Sequence, residues 1–462
     1  MRIVNALVYN EEGFFMPGEI KIEGSRFGRI SFAESEAAVK RGYAGYYESG
    51  GTDRQDGAEA RRGMVKSTVS KRGKIRIDAG GCYAIPGLVD IHTHGCAGYE
   101  YSYADRDSLF RMLRYQAENG VTTICPTLMT LSEETLARAC GCIAGIMEEF
   151  QSAGEKTAGK SRAANEKTVG RSRAAGGTTI GNSRAAGEQN VAFPAGIYLE
   201  GPFLSPSKAG AQNPAYITPP DRAVFERLMK SSGNAVKILA IAPETEGAMD
   251  FIGSVAKDVI ISIAHTNTDY DTAVMAIKRG ARLATHLYNG MSAFAHRAPG
   301  VVGAVFDMPG VMAEIVCDGV HLHPASVRIA ARQLGISRLI FISDSVAATG
   351  MGDGTYVLGE LTVSVSGKVV RLVNGGNIAG SASNLMDCLR VAVKNVGMPL
   401  SDAVRYASVN PARLLGLQAT RGGIAKGKIA DLVLLDRQLN IKEVFVEGRR
   451  LMIRQSEGGK PA

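Results

Sequence analysis

The sequence predicts an α/β fold: a (β/α)8 barrel carrying a small β-sandwich made from both ends of the chain. Three observations carry that expectation. Eight apolar, β-rich runs begin near Ile85, Val121, Ala195, Lys237, Val259, Ala281, Val311 and Arg338, each followed by a stretch able to form a helix. The runs are continuously apolar rather than alternating, as parallel strands covered on both faces are. Residues capable of chemistry fall just past their carboxyl ends, the side on which such barrels carry their active sites.

The first run, residues 85–94, reads Ile-Pro-Gly-Leu-Val-Asp-Ile-His-Thr-His and delivers His92 and His94 at its end. Side chains at i and i+2 of a strand point the same way, so both imidazoles can address one cation. A metal site needs three or four donors, and later runs supply them. Glu200 follows the third run, His265 the fifth and His286 the sixth; Asp318 and His321 lie just past the seventh, and Asp344 ends the eighth. A glutamate closing an apolar strand is a costly buried charge unless a cation meets it. Asp344 has a plainer alternative, capping the next helix. Cys96 reads as a small wall residue, and His296 and His323 fit no donor set.

Outside the barrel, residues 1–83 hold short β-rich runs such as 2–9 and 19–23, and the tail holds 431–436 and 442–447. We expect residues 1–83 and 419–462 to form the sandwich around a barrel at 84–418. A barrel uses about 250 residues, so a chain of this length has room for both. Residues 155–187 are three tandem copies of an 11-residue unit, EKTAGKSRAAN, EKTVGRSRAAG and GTTIGNSRAAG, too poor in large apolar side chains to form a core. They read as an unfolded loop, and residues 34–74 as a second, weaker insertion.

Charge and composition exclude several classes. The formal net charge is +8, but the repeats hold seven Lys/Arg and two Glu, so +5 of it is theirs and +3 belongs to the rest. No basic stripe interleaved with aromatics remains, and a nucleic-acid partner is not expected. No apolar run approaches the roughly 18 residues of a membrane span, and the start lacks the basic and apolar regions of a signal peptide. The seven cysteines are scattered without paired spacing. Reduced thiols and a cytoplasmic location are the expectation.

Several segments resemble the N-acetylglucosamine-6-phosphate deacetylases, a branch of the amidohydrolase superfamily. They are Pro86-Gly-Leu-Val-Asp-Ile-His-Thr-His-Gly, Leu199-Glu-Gly-Pro-Phe, Ala264-His-Thr, Thr285-His-Leu-Tyr-Asn-Gly-Met, Asp318-Gly-Val-His, Ser343-Asp-Ser and Ile378-Ala-Gly-Ser. His-x-His is shared across the superfamily; Glu-Gly-Pro-Phe with His-Leu-Tyr-Asn and Arg297-Ala-Pro-Gly is more specific. The resemblance implies a divalent metal, one or two per subunit, of zinc, iron, cobalt or manganese. Glu200, His265 and His286 match the ligands of one ion, and His92 with His94 those of a second, bridged by Glu200. Asp344 matches the catalytic aspartate, general base and then general acid. His321 matches a substrate-contacting histidine. Arg297 matches an arginine on the 6-phosphate that reaches into a neighbouring subunit, implying a homodimer. Asn289 and Gly290 match backbone donors to the phosphate, where Asn-Ala is usual. Ala211 and Gln212 match a contact loop in which some relatives have histidine at the second position, and Ile378 and Ala379 a further substrate contact.

The implied reaction is hydrolysis of the acetamide of a phosphorylated amino sugar. Three readings stay open at this point: the glucosamine substrate; its galactosamine epimer or another amide; and a catalytically silent barrel that binds sugar phosphates.

Overall fold

The structure is a computed structural model and describes residues 1–33, 64–70, 73–166 and 190–452. Eight parallel strands form the barrel: β1 (Leu88–Thr93), β2 (Val121–Leu128), β3 (Ile197–Leu199), β4 (Val236–Ile241), β5 (Ile260–Ile263), β6 (Ala281–Ala284), β7 (Met312–Val316) and β8 (Leu339–Ile342). Every residue of β1, β2, β3 and β8 is buried, as continuous apolar strands covered on both faces must be. The intervening helices include Arg106–Glu118, opened by a reciprocal Asp105–Ser108 capping box, and Tyr270–Lys278, capped by Asp269.

The ring closes between β1 and β8 through bonds just beyond the strand ends. The Asp344 N–H donates to His92 O at 3.0 Å and the His94 N–H to Ser345 O at 2.7 Å. Asp90, fully buried on β1, accepts from the Ser343 hydroxyl at 2.5 Å. The closing bonds therefore pass through the backbone of two expected metal ligands and of Asp344.

Three expectations need correction. The run beginning at Ile85 is two strands. Tyr83–Pro86 pairs with residues 2–9 and with Leu432–Leu435, and only after Gly87 does β1 begin. A Cβ on Gly87 would sit 2.1 Å from Thr122 Oγ1, so the bend between the two sheets demands glycine there. The repeats are the second case. The helix Glu133–Glu166 takes in the whole first copy, because adding turns to a formed helix costs far less than nucleating one; the second copy after Glu166 and all of the third lie outside the described residues. Third, a four-stranded antiparallel sheet of Gly354–Leu358, Leu361–Ser366, Val369–Leu372 and Ile378–Ser381 follows β8 and was not anticipated.

The two chain ends share one sheet. Its order is Arg449–Leu451, Ile441–Val446, Leu432–Leu435, Tyr83–Pro86, Arg2–Tyr9, Phe15–Glu23 and Arg26–Phe32, with Ile75–Asp78 parallel to Arg2–Tyr9 and Lys66–Val69 beyond it. The proposed insertion at 34–74 is otherwise outside the described residues. No helix among the described residues is long and apolar enough to cross a membrane, and six of the seven cysteines are buried.

A buried ion pair ties the segment after the barrel to this sheet. Arg421 pairs with Asp431, reaches Glu447 Oε1 at 2.9 Å and covers the Phe193 ring at 4.4 Å. Removing one partner strands the other in the interior. Arg421→Ala is expected to lower unfolding stability by about 3–5 kcal/mol, whereas Arg2→Ala, which breaks the exposed Arg2–Glu19 pair, should cost less than about 1 kcal/mol. Denaturant titration of both variants checks the contrast; equal losses would show that burial does not set the cost.

Candidate active site

Three site residues stand two positions past their strands in the left-handed region of backbone space: His265 (φ 42°), His286 (φ 28°) and Asp344 (φ 50°). Non-glycine residues rarely adopt it, and each does so at a cost of about 1–3 kcal/mol. The reversal turns each side chain over the mouth of the barrel, where His92 and His94 arrive directly from β1.

Glu200 stands at the centre. Its Oε1 lies 2.9 Å from His286 Nε2, 3.2 Å from His265 Nε2 and 3.3 Å from His92 Nε2, while Oε2 lies 3.2 Å from His94 Nε2. Asp344 Oδ1 is 3.3 Å from His94 Nε2 and 3.7 Å from His92 Nε2. The donors fall into two groups: Glu200 with His265 and His286, and His92 with His94 and Asp344.

The outward ring nitrogens fix which way the imidazoles present themselves. His92 Nδ1 is 2.9 Å from Glu314 Oε2, His265 Nδ1 2.8 Å from Lys208 O and His286 Nδ1 3.1 Å from Asn289 O. Each of these three oxygens is an acceptor, so each Nδ1 carries a proton and Nε2 faces inward, where a cation can take the place of a proton. His94 Nδ1 is buried without a partner among the described residues. Inward nitrogens approach in pairs, His92 to His94 and His265 to His286, both at 3.3 Å. Lone pairs converging on carboxylate oxygens are the arrangement a cation holds together, and nitrogen with oxygen donors suits a divalent metal.

Electrostatics agree. Burial disfavours a charged His92, yet Glu200 and Glu314 outweigh it and hold the imidazole well above its ordinary range. Burial also lowers His94, but Asp344 and Glu200 lift it to about 9. Glu200 is pushed up by burial and pulled well below the carboxylate range by His92 and His265; Asp344 is likewise pulled down by His94 and His92. A field that draws protons onto imidazoles draws a metal cation equally.

The donors border a cavity of about 220 Å³ whose lining includes Ala211, Gln212, Asn289, Gly290, His321 and Ile378. His321 Nδ1 lies 2.9 Å from Asp318 Oδ2, which also accepts from the Ser381 hydroxyl at 2.9 Å, leaving His321 Nε2 available. Gln212 donates to Glu200 Oε2 at 2.5 Å and accepts from the Thr130 N–H at 2.8 Å, so its amide is directed at Glu200 rather than at open space. Gly290 has φ 61°, and a Cβ there would lie 3.2 Å from His265 Nδ1. Glycine relieves both constraints.

Two expected contacts stand apart. Ala379 is buried and does not line the cavity: strand alternation turns it inward between Ile378 and Gly380, which do. Arg297 is exposed on the loop before Gly300–Asp307 and does not reach the cavity of its own chain. His323 caps the helix Pro324–Arg338, and Cys96 faces Met112 O and Gln116 rather than the donors. Sequence reading missed Glu314 and Asp90, both fully buried. The signal was present: each is a lone acid inside an apolar strand.

The amidohydrolase family model matches residues 83–451. N-acetylglucosamine-6-phosphate deacetylase of Bacillus subtilis is 32% identical over 358 residues, 77% of this chain and 81% of that protein. The Vibrio furnissii enzyme of the same name is 32% identical over 84% of this chain and 88% of its own length. An Escherichia coli N-acetylgalactosamine-6-phosphate deacetylase is 29% identical over 79% of this chain and 86% of its own. Among solved structures, a mutant N-acetyl-D-glucosamine-6-phosphate deacetylase from Mycobacterium smegmatis, in complex with N-acetyl-D-glucosamine-6-phosphate, superposes with a TM-score of 0.76 at 29% identity, over 97% of this chain and 98% of its own.

The donor geometry predicts a stability that depends on metal. Titrating chelator-treated protein with a divalent cation is expected to raise its melting temperature progressively, because a ligand of the folded state alone stabilises by mass action. Glu200→Ala, which removes the oxygen shared by three imidazoles, should abolish that rise. An undiminished rise in the variant would place the ion elsewhere.

Proposed function

The chain belongs to the amidohydrolase family, and from that premise we propose that its site hydrolyses the acetamide of N-acetyl-D-glucosamine 6-phosphate, releasing acetate and D-glucosamine 6-phosphate. The observation that carries this reading is the donor cluster around Glu200 with Asp344 at its edge, opening on a cavity lined by His321, in a chain that matches such deacetylases over most of its length. The galactosamine epimer has no better support, since the relative that acts on it is no closer than those named for glucosamine.

Glu200, His265 and His286 would hold one divalent ion, and His92 and His94 with Asp344 a second; zinc, iron, cobalt and manganese all accept these donors. Such an ion acidifies a water and polarises a carbonyl. Asp344, held ionised by His94 and His92, takes the proton of the attacking water as its oxygen bonds to the acetyl carbon. As the carbon–nitrogen bond breaks, Asp344 returns that proton to the departing amine. His321, oriented by Asp318, offers Nε2 to the sugar or the acetyl oxygen. Arg297, exposed on one chain, meets the 6-phosphate across a homodimer interface, where a guanidinium fork is apt. Free thiols fit a reducing, cytoplasmic setting.

Acetate release from a panel of N-acetylhexosamines, epimeric at the fourth carbon and with or without the 6-phosphate, tests the reading; the glucosamine phosphate should be the best substrate and chelator should remove activity. Preference for another amide would sink it. Asp344→Asn keeps the shape and loses the base, so kcat should fall by roughly 10² to 10⁴ with KM little altered. Arg297→Ala should weaken use of the phosphorylated sugar and spare the unphosphorylated one. An equal loss on both removes the phosphate assignment.

A further inference from the structure

We propose that Glu314 is the positioning residue that secures the second cation, the one at His92, His94 and Asp344. The proposal rests on the two-ion reading and concerns a residue that is neither ligand nor substrate contact there. Glu314 sits within β7, fully buried. Its Oε2 lies 2.9 Å from His92 Nδ1 and 3.4 Å from the backbone N of His286, so one carboxylate touches a member of each donor group. Its Oε1 is buried with no partner.

Two arguments follow from that placement. The first concerns orientation. Glu314 holds the proton on His92 Nδ1 and so aims the Nε2 lone pair at the inner donors, whereas His94 Nδ1 has nothing to hold it. In this group Glu314 alone supplies the outer anchor that the other group receives from Lys208 O and Asn289 O. The second concerns charge. Glu200, Glu314 and Asp344 meet only histidines as ion-pair partners among the described residues. With neutral imidazoles, one divalent ion leaves these three carboxylates undercompensated in a low-dielectric interior, and a second removes the deficit. A buried carboxylate with an unbonded oxygen is stable there only beside such compensation.

The test uses the full chain. Wild type and Glu314→Gln are stripped with chelator, reloaded with Co²⁺, and compared by elemental analysis, calorimetric titration and the visible absorption of bound cobalt. Wild type should take up two ions. Glu314→Gln keeps the shape and an acceptor for His92 but loses the charge; it should bind the first ion as wild type does and the second about 10- to 100-fold more weakly. Equal affinities for both ions in the two proteins, the result for a glutamate needed only for its shape or as an acceptor, overturn it. A single ion in wild type removes the two-ion reading itself and the proposal with it. Should the variant not fold, wild type labelled at histidine decides: in the two-ion state His92 should keep a hydrogen-bonded Nδ1 proton, identified by its absence from His92→Asn, and a deprotonated Nδ1 refutes the assignment.

Discussion

One carboxylate organises this protein. Glu200 is almost fully buried, and its oxygens face the inner nitrogens of all four histidines at the barrel mouth, delivered by β1, β5 and β6. A charge so placed is tolerable only while partners surround it, and those partners come from strands far apart in sequence. The barrel has to close before the charge is matched, and the closing bonds between His92, His94, Asp344 and Ser345 run through the same residues. Fold closure and site assembly are one event.

The second constraint is rigidity. His265, His286 and Asp344 hold backbone conformations that cost free energy, and that cost is offset by bonds that also fix their direction: Lys208 O and Asn289 O on the two rings, and the Ser381 N–H on Asp344 O at 2.8 Å. Donors mounted on strand ends and braced in this way stay aimed without the ion; a flexible loop would have to be ordered each time one binds.

How much of this could be read in the chain beforehand depended on where the information lay. The side chains that converge at the barrel mouth were legible because a polar residue ending an apolar run marks a strand terminus. Glu314 and Asp90 were not, because a lone acid inside a run looks like an interruption until the rings beside it are in place. Continuous hydrophobicity hid the change of sheet at Gly87, which the tight approach of Thr122 alone reveals. The first repeat was read by what it cannot bury, yet extending a helix requires no burial. The sheet from Gly354 to Ser381 was passed over although Leu361–Ser366 alternates in burial as a half-exposed strand does. Arg297 stays outside what one chain can reveal, since its cavity contact would lie across an interface.

That inserted sheet touches the cavity through Leu358, Asn377, Ile378 and Gly380, and its last strand returns to the mouth at Ser381, which bonds both Asp344 and Asp318. One end of the insertion is therefore anchored at Ser381, and the turn at Gly359, next to Leu358 on the cavity wall, is held by Glu100, whose carboxylate accepts from the Gly359 N–H at 3.0 Å. Sequence drift beside Leu358 can reshape the cavity wall, while the edge at Ser381 cannot change without disturbing the backbone that carries Asp344. Selectivity and reactivity can therefore evolve at different rates within a single insertion.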